Sequence, residues 1–383
     1  MRLEESYNRL LESSLDRLGK VRGVRHAFLA AESRDGTFQW AGAKGAANPD
    51  GTLVEVGTPF WIASVTKLYI ASAILRLQES GQLSVDDLVV RHLPADLMKG
   101  VHVVDGTDFH DRLTIRHLLT HASGIPDYLE LKLEGGETWI DRVLAGKDRS
   151  WSVGDILQAV ARANKPLFAP QDLRRGKYRI RYSDTNYQIL IAILESVTKK
   201  PVEDVYADLI FRPLGLAETF LPGGKSPLQP GTAMATTWVQ DIPFDDKPLA
   251  MRSFGDLYST LKDQIAFLRG LLEGKLFENP ETLGLMRGGW QTFAFGFSPL
   301  APGWPIQYGM GMMRFETPRF LSPLGAPPAL VGHTGAVGSW LFHCPETDML
   351  FAGTVSQATA AAAPFRIVPP LAGRLGTGLR KGN

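Results

Sequence analysis

The run Ser64-Val65-Thr66-Lys67 sets a hydroxyl and an amine three residues apart, at the start of a long and almost wholly apolar stretch. On a helix that spacing puts both side chains on one face, within reach of each other. From Leu68 to Leu75 only Tyr69 and Ser72 are polar, and a helix that is apolar all round is a buried one. Burial penalises the charged form of Lys67 and lowers its pKa. Lys67 is then a candidate general base and Ser64 a candidate nucleophile. The same residues also fit a plain structural reading, with Ser64 as a helix cap and Lys67 snorkelling to the surface.

Two further motifs carry types that such chemistry needs. Tyr182-Ser183-Asp184 stands just ahead of a helical run that Thr185 and Gln188 open in the pattern of a capping box. Arg179, Arg181 and the helix dipole are placed to lower the Tyr182 phenol pKa. His333-Thr334-Gly335 lies between an apolar run and Ala336-Val337-Gly338. Its glycines let backbone approach a ligand closely, and its imidazole and hydroxyl could grip an anionic group. Singly, each motif is weak.

The elements that must position them follow from periodicity. Leu3, Tyr7, Leu10, Leu11, Leu15 and Leu18 recur at helical spacing among charges, which predicts an amphipathic N-terminal helix. Apolar runs at 27–31 and 37–41 flank Ser33-Arg34-Asp35-Gly36 and read as a hairpin. The Ser64 helix ends near Gly81. Helical patterns then cover 114–121, 152–163, 185–198 and 201–211. A Pro/Gly-rich connection (221–231) leads to a helix over 259–273. Strands are expected at 309–315, 329–331, 339–343 and 349–355, with a turn at Pro345-Glu346-Thr347-Asp348, and the alanine run 358–363 reads as helical. Strands at both ends of a helical middle predict an α/β fold in two lobes. Residues 1–63 and 240–383 build an α/β lobe from both termini, and 64–239 form a mainly helical lobe with the Ser64 helix at the interface.

In the order S-x-x-K, Y-x-[ND], [KH]-T-G the chain resembles the penicillin-recognising serine hydrolases: class C β-lactamases, D-alanyl-D-alanine carboxypeptidases and the family VIII-type esterases that share their fold. Residues 114–124 (TIRHLLTHASG), 212–216 (RPLGL), 308–311 (YGMG) and the hairpin carrying Pro345-Glu346-Thr347 also look like that family. The resemblance runs from about Ala27 to Val355. It implies a β-lactamase-like fold, an antiparallel sheet flanked by helices with an all-helical lobe inserted. It also implies acyl-enzyme chemistry without a cofactor. Ser64 attacks the carbonyl, while Lys67 and Tyr182 relay its proton to the leaving group and then activate the deacylating water. The backbone amides of Ser64 and Ala336 form the oxyanion hole, worth about 3–4 kcal/mol per donor. Asp184, His333, Thr334 and Gly335 line the substrate site.

Two departures from the family pattern bear on substrate. Asp184 stands where β-lactamases and carboxypeptidases usually carry asparagine, whose N–H donates to the substrate's acyl-amide carbonyl. An ionised carboxylate only accepts, so Asp184 repels that carbonyl, pairs with Lys67, or supports the helix behind it. His333 stands where β-lactamases mostly carry lysine. An imidazole mostly neutral at pH 7 attracts a carboxylate less than lysine does, and more strongly in acid. These departures favour a carboxylesterase on small acyl esters over a β-lactamase, D-alanyl-D-alanine carboxypeptidase or D-aminopeptidase. A non-catalytic binder of the same fold is the alternative of another class, and the presence of Ser64, Lys67 and Tyr182 speaks against it.

Composition narrows the partners. The 383 residues are 44% hydrophobic and 21% charged, with a formal net charge of +1, so neither nucleic acid nor an anionic membrane is implied and a small-molecule ester or amide is the expected partner. The lone Cys344 reads as a small core residue. The N-terminal helix lacks the uncharged core of a signal peptide, and the expectation is a soluble, cytoplasmic protein. His117 and His121 have a zinc-compatible spacing on a helix, yet no third ligand is evident and no metal is expected. Gly224-Lys225-Ser226 ends like a phosphate loop but lacks the first glycine. Trp61, Trp290 and Phe295 read as core or pocket wall.

Overall fold

The N-terminal amphipathic run forms α1 (Arg2–Gly19), and its apolar edge of Tyr7, Leu11, Leu15 and Leu18 is buried. The chain then enters the hairpin of β1 (His26–Ser33) and β2 (Gln39–Gly45), in register at Glu32 opposite Gln39. Gly36 takes the left-handed turn (φ +76°) that favours glycine. These elements belong to a computed structural model that describes residues 2–224, 227–228, 232–293, 305–316 and 327–379. Lys225, Ser226, Phe295 and part of the 221–231 connection lie outside the described residues.

A short 3₁₀ turn (Ala63–Val65) leads into α2 (Thr66–Glu79), which ends at Ser80 before a left-handed Gly81. Next come α3 (Ile115–Leu119), α4 (Val153–Ala163) and α5 (Asp184–Thr198). The 201–211 run is α-helical over Val202–Tyr206 and continues as π-helix over Ala207–Phe211. Helix α6 (Leu261–Leu272) is capped by Thr260. The other strands of the main sheet are β3 (Gln291–Phe293), β4 (Ile306–Tyr308), β5 (Met313–Phe315), β6 (Leu330–Thr334), β7 (Ser339–Cys344) and β8 (Met349–Thr354). Chain order closes with α7 (Ala363–Leu379), which continues through Pro369 and Pro370.

The eight strands form one antiparallel sheet in the order β2-β1-β8-β7-β6-β5-β4-β3. β1 thus joins the chain's first strands to its last. Both faces of the central strands are covered. Phe28, Ala30, Leu341, Leu350 and Ala352 face a core shared with α2, α5 and α6, and Leu29, Trp340, Phe342, Cys344 and Phe351 face a second core under α1 and α7. Residues buried on both faces read as unbroken apolar runs, which is how 340–342 of β7 and 349–352 of β8 read. No helix among the described residues is long and apolar enough to cross a membrane.

One expected strand is shorter than the pattern suggested. Residues 309–315 divide into a turn and β5, because Gly311 (φ +70°) packs so tightly on α2 that a Cβ there would lie 2.3 Å from Ala71 Cβ and 3.1 Å from Lys67 O. Its N–H donates to Leu119 O at 3.2 Å.

Candidate active site

Ser64 is presented by a strained turn. Ala63 before it holds φ +46°, a left-handed backbone that costs a residue with a Cβ about 1–3 kcal/mol and persists only where surroundings enforce it. Those surroundings are two seams. On one, Ile62 N–H donates to Leu257 O at 3.0 Å and Leu257 N–H to Thr66 Oγ1 at 2.9 Å. On the other, Ser339 Oγ at the start of β7 donates to Ile62 O at 2.8 Å. Gly335 makes the second seam possible, since a Cβ there would meet Ser339 Oγ at 2.3 Å, and Ala63 Cβ and Ile62 O at 2.9 Å.

The first turn of α2 carries Lys67, only 2% exposed. Its Nζ donates to Ser64 Oγ at 3.0 Å and forms an ion pair with Asp184. It also lies over the rings of Tyr182 and Tyr187, 5.1 and 5.2 Å from their centroids. The Tyr182 phenol hydrogen-bonds with both Lys67 and Ser64. The structure therefore gathers Ser64, Lys67, Tyr182 and Asp184 into one contiguous polar group at the edge of a buried core.

The charges differ from the sequence-based expectation. Burial does act to lower the Lys67 pKa, but Asp184, Tyr182 and Asp256 outweigh it and hold the amine well above its ordinary value. The resting lysine is an ammonium, not a free base. Tyr182 is likewise raised, not lowered, because burial of the phenol outweighs the neighbouring Lys67 charge. The two arginines expected to act on it are turned elsewhere, Arg181 to Glu130 at 3.4 Å and Arg179 over the Phe168 ring.

Thr185 and Gln188 do not form a capping box either. α5 starts at Asp184 with Ser183 as N-cap. Asp127, from a separate loop, accepts the Asp184 N–H on Oδ2 at 3.2 Å, while Thr185 Oγ1 is spent on Pro126 O (2.8 Å) and Gln188 Nε2 on Phe254 O (2.8 Å). Burial and the adjacent Asp184 hold the Asp127 carboxyl well above the usual carboxylate range.

His333, at the end of β6, is fully buried. Its Nδ1 lies 2.7 Å from Thr334 O and so carries the proton, leaving Nε2 to accept from the Tyr308 hydroxyl at 3.2 Å. Burial, then the Lys67 charge, depress it to about 3. The expected strengthening in acid is thus corrected: the ring stays neutral through the mildly acidic range. Thr334 is half-buried, and Gly335 N–H is taken by Ser339 O at 2.9 Å. Ala336 is exposed in the turn between β6 and β7, and no acceptor is paired with its amide among the described residues.

His121, weighed in the sequence only for its spacing from His117, belongs to the site. It follows the end of α3 with a left-handed backbone (φ +56°), so it shares no helical face with His117, whose Nε2 donates to Gln171 O at 2.9 Å. His121 Nδ1 accepts from Ser183 N–H at 3.2 Å and Asn186 Nδ2 at 3.1 Å, and its ring lies 4.3 Å under that of Tyr182. The residues 114–124 that look like the family thus build the floor beneath Tyr182. Asp127, Asp256, Tyr187 and Tyr308 also join the site. Tyr308 stands in a family-like stretch, but no local pattern marks Asp256. Trp61 packs against Phe244 and Phe254 as core wall.

A sequence model of the Beta-lactamase family matches residues 12–367. A Salmonella typhi protein, by name only a D-alanyl-D-alanine carboxypeptidase, is 27% identical over 321 residues, covering 74% of this chain. The chain spans 56–66% of the length of the first curated relatives it matches. Among solved structures, the D-amino acid amidase from Ochrobactrum anthropi superposes with a TM-score of 0.73 at 21% identity over 100% of this chain and 99% of its own. EstCE1, described as a hydrolase with promiscuous acyltransferase activity, superposes with a TM-score of 0.72 at 20% identity over 97% of this chain and 100% of its own.

Proposed function

Because this chain belongs to the Beta-lactamase family, we propose that it is a serine hydrolase that cleaves small acyl esters through an acyl-enzyme on Ser64. The observation that carries this reading is the Lys67–Asp184 ion pair. It puts a carboxylate, tied to Lys67, at the position where an acylamino substrate would need an N–H donor. An ester with no acylamino group loses nothing there.

In this reading Ser64 Oγ bonds to the ester carbonyl carbon, and the carbonyl electron pair moves to oxygen, where the Ser64 and Ala336 amides receive it. Collapse expels the alcohol, which takes a proton by way of the Tyr182 phenol. Water then repeats the attack on the acyl carbon and Ser64 leaves with its proton restored. His333, neutral and tied to Tyr308, serves as a wall and leaves the oxyanion to the amides.

A second reading, hydrolysis of amino acid amides with a free ammonium group, is favoured by Asp256, a second carboxylate close to Lys67, and by the name of the Ochrobactrum relative. Steady-state hydrolysis of a short-chain p-nitrophenyl ester by wild type and Ser64→Ala separates these. Ester turnover that falls at least about 10³-fold in a folded Ser64→Ala protein is expected. Faster turnover of a D-amino acid amide, a D-alanyl peptide or a chromogenic cephalosporin than of the ester would overturn the esterase reading.

A further inference from the structure

We propose that Asp184 is the terminal acceptor of the nucleophile's proton: as Ser64 Oγ attacks, its proton passes to Lys67 Nζ while a proton of Lys67 passes to Asp184 Oδ1. This rests on Ser64 as nucleophile but on no particular substrate.

The geometry is a continuous line. Ser64 Oγ lies 3.0 Å from Lys67 Nζ, and Nζ is in direct ion-pair contact with Asp184 Oδ1. An ammonium already surrounded by acceptors has no lone pair for the serine proton, so a base mechanism through Lys67 alone must first discharge it. The coupled transfer removes that requirement. Before attack the group holds Lys67 ammonium and Asp184 carboxylate, and after attack it holds the oxyanion, Lys67 ammonium and a neutral Asp184 carboxyl. No net charge is created in a buried place; one negative charge moves from Asp184 to the oxyanion with the ammonium between them throughout. When the tetrahedral adduct collapses, the carbon–leaving-group bond breaks. The proton then returns from Asp184 through Lys67 and the Tyr182 phenol to the departing oxygen. Side-chain exposure of 23% leaves Asp184 open to proton exchange with water.

The charged and titratable groups packed about this line are Asp127 behind Asp184, Asp256 beyond Lys67, the phenols of Tyr182, Tyr187 and Tyr308, and the neutral imidazoles of His121 and His333. Among the carboxyl groups of the described residues, Asp184 is the one that shares a hydrogen bond with Lys67 Nζ, and it also lies open to water.

The test is the rate at which a fluorophosphonate labels Ser64, read from pH 6 to 10 in wild type, Asp184→Asn and Asp184→Glu. In this reaction the Oγ–P bond forms and fluoride leaves, so no natural substrate enters. The relay predicts that wild type is flat between about pH 7 and 9. Asp184→Asn, which needs a neutral lysine, falls about 10²-fold at pH 7 and climbs with pH toward the lysine range. Asp184→Glu recovers most of the rate and the flat profile. An Asp184→Asn protein that labels as fast as wild type or faster at pH 7, or one that loses rate equally at every pH, overturns the proposal. Label that depends on Asp184 in a protein with no ester turnover would overturn the esterase reading and leave this one standing.

Discussion

Gly335→Ala tests how the site is held, and the structure sets its size. A Cβ at 335 would lie 2.3 Å from Ser339 Oγ and 2.9 Å from both Ala63 Cβ and Ile62 O. Ordinary contact begins near 3.5 Å, so β7 and the nucleophile turn must part by about 1 Å. Overpacking of that kind costs about 1–3 kcal/mol. The Ser339–Ile62 hydrogen bond stretched in the process adds about 1 kcal/mol, for about 2–4 kcal/mol in all. Ala63 is left-handed because of that seam, and a shift of about 1 Å in Ser64 lowers kcat/KM by about 10²-fold. Urea unfolding measures the first quantity and p-nitrophenyl ester hydrolysis the second. Adding Ser339→Ala removes the closest clashing atom, so the double variant costs less than the sum of the singles by about 1 kcal/mol. A Gly335→Ala protein within about 0.5 kcal/mol of wild type, with unchanged kcat/KM, would refute the claim that this seam positions the nucleophile.

Two further outcomes follow from the charges. Lys67→Met strands the Asp184 carboxylate beside a buried core, destabilising the fold by about 3 kcal/mol, and Lys67→Met/Asp184→Asn regains at least about 1 kcal/mol of it in urea unfolding; a double variant weaker than the single one contradicts the pairing. Burial chiefly pushes the Asp256 carboxyl up to about 7, so the native state keeps a proton that the unfolded chain releases near pH 4. Stability owed to this group therefore declines as pH rises from about 4 to 7. Asp256→Asn accordingly gains on wild type between pH 5 and pH 8, and a stability difference that is the same at both would count against it.

What local sequence could reveal was the chemistry held by short spacing. Ser64 and Lys67 are one helical turn apart, Asp35-Gly36 makes its own turn, and 340–342 of β7 and 349–352 of β8 announce burial by unbroken apolar runs. What it could not reveal came from partners distant in the chain. Burial of Lys67 is visible in its neighbours, but Asp184, which reverses the effect on its pKa, is 117 residues away. Arg179 and Arg181 are near Tyr182 only along the chain, and their side chains find Phe168 and Glu130, respectively, instead. The Thr185–Gln188 pattern fits a capping box, but Asp127 from another loop supplies the cap and frees both side chains for tertiary bonds. Gly311 breaks an otherwise strand-like run because α2 passes too close for a side chain.

The sheet's closure by both ends of the chain has a consequence in time. β1 is synthesised long before its partner β8, with Phe28 opposite Thr354. Pairing so remote in sequence must meet its loop-closure entropy before any contact rewards it. Until then β1 keeps an unpaired apolar edge, the kind of surface on which nascent chains associate wrongly. The lysine, the tyrosine and the serine turn all precede residue 260, whereas Gly335 and Ala336 arrive with β6 and β7. A nascent chain can therefore carry Ser64, Lys67 and Tyr182 long before the strand that fixes the Ser64 turn, and under the proposed mechanism competence waits until β6 and β7 dock.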